Sequence, residues 1–279
     1  MGRKSWSNEK LLSRLITNRS DKTYWLNIAE LRIRATPAFF EQCILLTESN
    51  IPKKRMIGVD ILSQLRDSVS IKPYSKKVLI HFLNLLKVEK DLSVIKSILY
   101  GIGHNNDNLV SNEDIEYLTN YWLNKNSCVR EGVVLALLGI DNPIAIDTLI
   151  KLSEDRYSNI RNWATFGLGS QIERDTPEIR HALFLRIYDK HQETKYEAIL
   201  GLAKRKDSNI KNVIEQEILS QSYGTLLLEA VEKLQDVVFL PLLEDTLKRY
   251  RNQLNVNNQW NDRLEHCINY LKSLNSSIG

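Results

Sequence analysis

A motif of compact residues returns along the chain at nearly constant intervals, and a chain with that rhythm has few ways to fold. The segment Val129-Arg130-Glu131-Gly132-Val133-Val134-Leu135-Ala136-Leu137-Leu138-Gly139 matches Ile160-Arg161-Asn162-Trp163-Ala164-Thr165-Phe166-Gly167-Leu168-Gly169 in pattern, and Thr194-Lys195-Tyr196-Glu197-Ala198-Ile199-Leu200-Gly201-Leu202-Ala203 is a third copy. Each opens on a β-branched residue and a basic one. Small side chains, Ala or Gly in the two later copies, stand three and six positions after the basic residue. Taking the position three after it as an anchor, the series Gly58, Ile98, Val133, Ala164, Ala198 and Ala230 has intervals of 40, 35, 31, 34 and 32 residues. Repeats of that length predict two-helix units that bury their apolar faces only by stacking on their neighbours.

Hydrophobic spacing supports helices throughout. Leu79, Phe82, Leu83 and Leu86 stand at 0, 3, 4 and 7, as do Ile95, Ile98, Leu99 and Ile102, and Leu227, Ala230, Val231 and Leu234. That is one face of a helix, not the alternation of a strand. Glycine and proline number only 11 and 6 of 279, about half their usual share, so few turns need special backbone. All six prolines (37, 52, 73, 143, 177 and 241) fall near the start of a predicted helix, where the missing N–H costs nothing. Thr36 and Thr176 are read as N-caps. Gly167, Gly169 and Gly201 are placed in helix interiors, where each costs roughly 0.5–1 kcal/mol relative to Ala, so close helix contact is the expected compensation.

The pattern of a basic residue, two variable residues, a small residue, two variable residues and then Gly-Leu-Gly or Gly-Leu-Ala resembles HEAT and HEAT-like repeats, particularly the short bacterial kind named after phycobilisome lyases. The likeness is good over residues 126–205 and extends to about 235. It implies an all-α solenoid of stacked antiparallel helix pairs: a single domain over 1–279, with its clearest repeats at 105–235, N-terminal helices at 1–35 and capping helices at 239–279. In bacterial HEAT-like proteins it implies adaptors, chaperone-like factors, and inhibitors or immunity proteins. HEAT-like alkylpurine DNA glycosylases share the architecture, but no Asp flanked by Trp and Arg aligns here with that family. A bilin lyase-like chaperone is implied by the name of the repeat alone.

Catalytic and metal motifs are not legible. The five histidines make no H-E-x-x-H or H-x3-H pattern and no Cys stands at ligand spacing, so no metal or cofactor is expected. Gly167-Leu168-Gly169-Ser170-Gln171 lacks the strand and second glycine of a nucleophile elbow, and no enzymatic activity is expected. Three widely separated cysteines and the lack of a long apolar run point to a cytoplasmic protein that does not enter a membrane. Charge is uneven: residues 1–100 carry 18 Lys/Arg against 9 Asp/Glu, and the remainder 20 against 25. A one-signed field over several repeats steers an oppositely charged ligand.

The candidate contact residues follow from the repeat. Arg130, Arg161 and Lys195 are its basic positions, Trp163 stands two after Arg161, and Glu173 and Asp175 form an acidic strip beyond it. Trp and Arg dominate interaction hot spots, although a structural role for Arg161 and a packing role for Trp163 explain the same residues. Trp25, Trp122 and Trp260 are assigned to packing. The expected ligand is a protein partner on the concave face, lined by second helices; nucleic acid is the alternative, weakened by the acidic central and C-terminal repeats. The polar stretch Asn252 to Asn261 leads into a last amphipathic helix through Leu264, Cys267, Ile268, Leu271 and Leu274, read as the cap of the stack.

Overall fold

A computed structural model of the chain describes residues 2–67, 70–107, 110–251 and 258–276; these form sixteen α-helices and no strand. Contacts divide the chain into two units, residues 1–138 and 139–279. The first unit contains α1 (Asn8–Thr17), α2 (Asp21–Arg32), α3 (Pro37–Thr47), α4 (Pro52–Leu62), α5 (Ser75–Leu86), α6 (Leu92–Gly103), α7 (Asn112–Thr119) and α8 (Ser127–Leu137). They associate as pairs, α1 with α2, α3 with α4, α5 with α6 and α7 with α8, while the second helices form a row in which α2 packs on α4, α4 on α6 and α6 on α8.

The second unit repeats the scheme in its row of second helices. It contains α9 (Pro143–Leu152), α10 (Ser158–Phe166), α11 (Pro177–Arg186), α12 (Gln192–Lys204), α13 (Lys211–Ser220), α14 (Thr225–Leu234), α15 (Leu240–Arg251) and α16 (Asn258–Ser276). Its row of second helices runs α10, α12, α14 and α16. The expected all-α architecture of stacked helix pairs is therefore present. Every anchor of the sequence repeat lies on a second helix and is buried: Gly58 on α4, Ile98 on α6, Val133 on α8, Ala164 on α10, Ala198 on α12 and Ala230 on α14.

Local signals explain the helix starts. Pro37, Pro52, Pro143 and Pro177 are each the first residue of a helix and Pro241 is the second, whereas Pro73 lies two residues ahead of α5. The Thr36 hydroxyl accepts from the Phe39 N–H at 3.2 Å and that of Thr176 from the Ile179 N–H at 3.3 Å, each satisfying an orphan donor of the first turn. At the far end, α16 buries Leu264, Cys267, Ile268 and Leu271 and packs on α14 and α15. Residues 252–257 of the polar stretch before it lie outside the described residues. No helix among the described residues is long and apolar enough to cross a membrane.

One expectation about the glycines is corrected. Gly201 is inside α12, but Gly167 and Gly169 belong to a π-helical turn, Gly167–Gln171, that continues α10. The turn is closed by a cation from the next repeat, a partner no local pattern announces. Arg205 is buried; its Nη2 reaches the carbonyl oxygens of Leu168, Ile172 and Arg174 at 2.8, 2.9 and 2.8 Å, and its Nη1 donates to the Gly201 carbonyl at 3.0 Å. A wider π turn leaves carbonyls without their usual helical donors, and one guanidinium replaces them. The close approach itself is present: a Cβ on Gly201 would stand 2.6 Å from the Gly169 Cα, and one on Gly169 would stand 2.9 Å from the Glu197 carbonyl oxygen.

Candidate functional site

The arginines at the basic position of the repeat share a task in the fold. Arg55, Arg130 and Arg161 each donate through Nη1 to the carbonyl six residues earlier, those of Ser49, Asn124 and Asp155, at 2.8, 2.7 and 2.8 Å. Arg55 and Arg161 also clasp a carboxylate in the following repeat. Arg55 binds Glu89 through two contacts of 2.6 and 2.8 Å, and Arg161 binds Asp189 through two of 2.8 and 2.9 Å. Both carboxylates accept backbone N–H groups of their own turn, from Lys90 and Asp91 or from His191. Lys195 pairs with Glu217 at 2.7 Å. This fork geometry tacks turn to turn, so the side chains of Arg130, Arg161 and Lys195 are engaged inside the fold.

The remaining candidates are scattered by the structure. Trp163 is 39% exposed and meets Phe166 edge-on at 5.7 Å. Asp175 is held in a fork by Arg180 at 2.7 and 2.6 Å. Glu173 is exposed on the rim of an open groove shared with Ser170, Lys204, Lys206 and Lys233. They do not form one constellation with a shared chemical task.

The ladder has a pH signature. Burial alone would raise the Asp189 carboxyl, but the Arg161 guanidinium, the His191 N–H and the Arg186 charge together hold it below the ordinary carboxylate range. A carboxylate lowered in this way stabilises the fold above its unfolded pKa of about 3.9, and that contribution is lost as the pH falls through the lower, folded value. Asp189→Asn is expected to cost about 2 kcal/mol near neutral pH. Thermal melts at neutral and strongly acid pH should show the gap to the parent closing on the acid side, whereas a gap independent of pH would exclude this ion pair as its source.

A different group of side chains is gathered in the first unit, over the row α2, α4 and α6. An open groove of about 400 Å³ is bounded by Tyr24 and Trp25 from α2, Lys53, Met56 and Asp60 from α4, and Ser93, Lys96, Ser97 and Tyr100 from α6, with Arg19 just before α2. Asp60 is the unusual residue, a carboxylate within the apolar run Met56-Ile57-Gly58-Val59-Asp60-Ile61-Leu62, and it is only 5% exposed. Its Oδ2 accepts the Tyr24 hydroxyl at 2.6 Å, and its carbonyl accepts Arg32 Nε at 3.0 Å. Burial pushes the Asp60 carboxyl above the ordinary range, against the lowering effects of hydrogen bonds from Tyr24 and Ser97 and of the Arg32 and Lys96 charges. Burial, followed by the neighbouring Asp60 charge, likewise raises the Tyr24 hydroxyl.

Above this polar floor the groove is aromatic and cationic. Trp25 is 49% exposed, which corrects the expectation that it simply packs; Tyr24 meets it edge-on at 5.3 Å and the Arg32 guanidinium lies 5.5 Å from its ring centre. The Lys96 ammonium lies 5.4 Å from the Tyr100 ring centre, and Tyr100 donates to Glu131 at 2.7 Å. The arrangement sets aromatic rings beside a cationic rim. Repeat reading passed over Tyr24, Asp60 and Lys96 because none occupies the anchor or basic position. The one signal available was Asp60 itself, a charge interrupting an apolar run.

No family model matches the chain. Protein YibA of Escherichia coli strain K12, and its counterpart in strain O157:H7, are 31% identical over 126 residues, 45% of this chain and 45% of each relative, so the match spans about half the length of these curated relatives. The X-ray structure of E. coli YibA superposes with a TM-score of 0.74 at 23% identity, covering 97% of this chain and 94% of that one. An engineered protein superposes at 0.55 and 16% identity over 99% of this chain and 82% of its own. A chain of the Kap95p–RanGDP complex superposes at 0.51 and 13% identity over 95% of this chain and 41% of its own. The fold these likenesses share is the HEAT-like helical repeat.

Proposed function

We propose that this chain is a non-enzymatic HEAT-like scaffold, of the short bacterial repeat kind, that holds a protein partner on its second helices, as a cytoplasmic adaptor or an inhibitor of immunity type. The observation that carries the reading is the groove over α2, α4 and α6, where Trp25 stands half exposed beside Tyr24 and Arg32 in a lining that also holds Arg19, Lys53, Lys96 and Tyr100. Trp and Tyr in such settings provide large contact area at low conformational cost. The groove is open; at its floor Tyr24 and Ser97 hydrogen-bond to the buried Asp60 carboxylate, while Arg19, Lys53 and Lys96 line its rim. Kap95p, whose fold is similar, binds RanGDP, which supports protein recognition by stacked helical repeats.

The test is affinity capture from native lysate with the full chain, followed by reconstitution with the purified partner. A stoichiometric protein is expected, and Trp25→Ala should weaken it by about 2 kcal/mol, roughly thirtyfold in Kd, with the melting curve little changed because the ring is half exposed. Recovery of no stoichiometric protein, or salt-sensitive DNA binding with base release from methylated DNA, would overturn the reading in favour of a nucleic-acid role.

A further inference from the structure

We infer that the groove over α2, α4 and α6 recognises an acidic segment of the partner, seating a carboxylate side chain among Arg19, Lys53 and Lys96 while the apolar part of the segment lies on Trp25. The inference rests on the scaffold reading above and names the chemistry of its partner. Three successive repeats each contribute one cation to the same groove: Arg19 immediately before the α2 N-cap, Lys53 in the first turn of α4, and Lys96 in the second turn of α6. Lys53 Nζ donates to the Asn18 carbonyl at 2.9 Å, which fixes that ammonium at the groove and leaves two N–H groups for a ligand.

Of these cations, Lys53 runs against the preference of its helix. Helix α4 opens Pro52-Lys53-Lys54-Arg55 with no acidic residue in its first turn, whereas the helix dipole favours anions there. Arg55 is explained by Glu89. Lys53 and Lys96 line the groove instead, and a cation set against the helix dipole at the mouth of a groove points to a site of function. An incoming carboxylate would meet the three cations and the positive ends of the helices together.

The groove's own anions do not cancel this. Asp60 is buried beneath the rim and already hydrogen-bonded by Tyr24 and Ser97, and Asp21 sits in the first turn of α2, where the dipole favours it. Over a longer range, the first hundred residues carry 18 cations against 9 anions, a field that speeds the encounter with an acidic partner. A nucleic acid fits less well. Its regular phosphates need a continuous line of cations, and here Asp21 and Asp60 are interleaved with them in a cleft of side-chain size, about 400 Å³.

The experiment uses the full chain and a labelled oligo-glutamate peptide in a titration at low and moderate salt, with an oligo-lysine peptide and a single-stranded oligothymidylate as comparison probes. Saturable, salt-sensitive binding of oligo-glutamate is expected, weakened at least about tenfold in the Arg19→Glu/Lys96→Glu double variant. The melting curve of that variant is recorded alongside, and Arg19→Gln/Lys96→Gln replaces it if charge reversal unfolds the chain. Absence of saturable binding, equal binding by the double variant, or tighter binding of oligothymidylate would each overturn the inference. If a captured protein partner is lost in Trp25→Ala while oligo-glutamate does not bind, the acidic partner falls and the scaffold stands; if no stoichiometric protein is captured at all, the scaffold itself falls.

Discussion

Arg205→Met lowers the stability of the 139–279 unit by about 3 kcal/mol, enough to drop its melting temperature by roughly 10 °C for a unit of this size. The side chain that is lost serves four carbonyl oxygens, of Leu168, Ile172, Arg174 and Gly201, and methionine fills similar volume while donating nothing. The cost therefore comes from buried acceptors left without a donor, not from a cavity. Burial works against the Arg205 cation, and the nearest carboxylate oxygen, on Asp175, lies 3.8 Å from its Nε, so part of the loss is offset by removing a charge that is expensive to bury. Hydrogen exchange locates the effect: the amides of 167–174 should exchange faster while those of the first unit stay protected. Arg205→Lys should recover less than half of the loss, because a single ammonium cannot span acceptors on both α12 and the π turn. A methionine variant within about 0.5 kcal/mol of the parent would show that the turn holds without its guanidinium.

Gly201→Ala is expected to destabilise the same unit by about 2 kcal/mol, although alanine is the better helix former by about 1 kcal/mol. The added methyl would stand 2.6 Å from the Gly169 Cα and 3.0 Å from Leu183 Cδ1. The first of these is backbone and cannot rotate away, so α12 and the π turn must separate and the core around Leu183 must open. Gly224→Ala is the control without a close neighbour: nothing lies within 4 Å of its added Cβ, and its stability should stay within about 1 kcal/mol of the parent, the small loss being that of alanine for glycine at the α14 N-cap. Equal melting of the two variants would mean that the two elements are not in direct backbone contact.

The two variants also show where local pattern stops being informative. Glycine at 201 is readable from the sequence, because it recurs at a fixed place in the repeat and is costly in a helix unless something lies close by. What lies close by is readable only in the fold. Gly169 is its neighbour through a π turn, and that turn depends on Arg205, more than thirty residues after Leu168, Ile172 and Arg174 in the chain. The same division applies to the candidate surface. Arg161 and Trp163 attract attention as adjacent hot-spot residue types, yet Arg161 is spent on Asp189. Tyr24 and Lys96 look ordinary one by one, and with Asp60 they become a groove only when α2, α4 and α6 lie side by side.

By itself the sequence determined the all-α class, the repeat length, the helix starts at proline and threonine, and the buried anchors from Gly58 to Ala230. These are consequences of periodicity and backbone chemistry acting within a few turns of chain. Tertiary structure alone decided which cations are consumed by the turns and which line the groove over α2, α4 and α6. A charged side chain takes its role from the groups that surround it, and for Arg55, Arg161 and Lys195 the paired carboxylates come from the next repeat, 34, 28 and 22 residues along the chain.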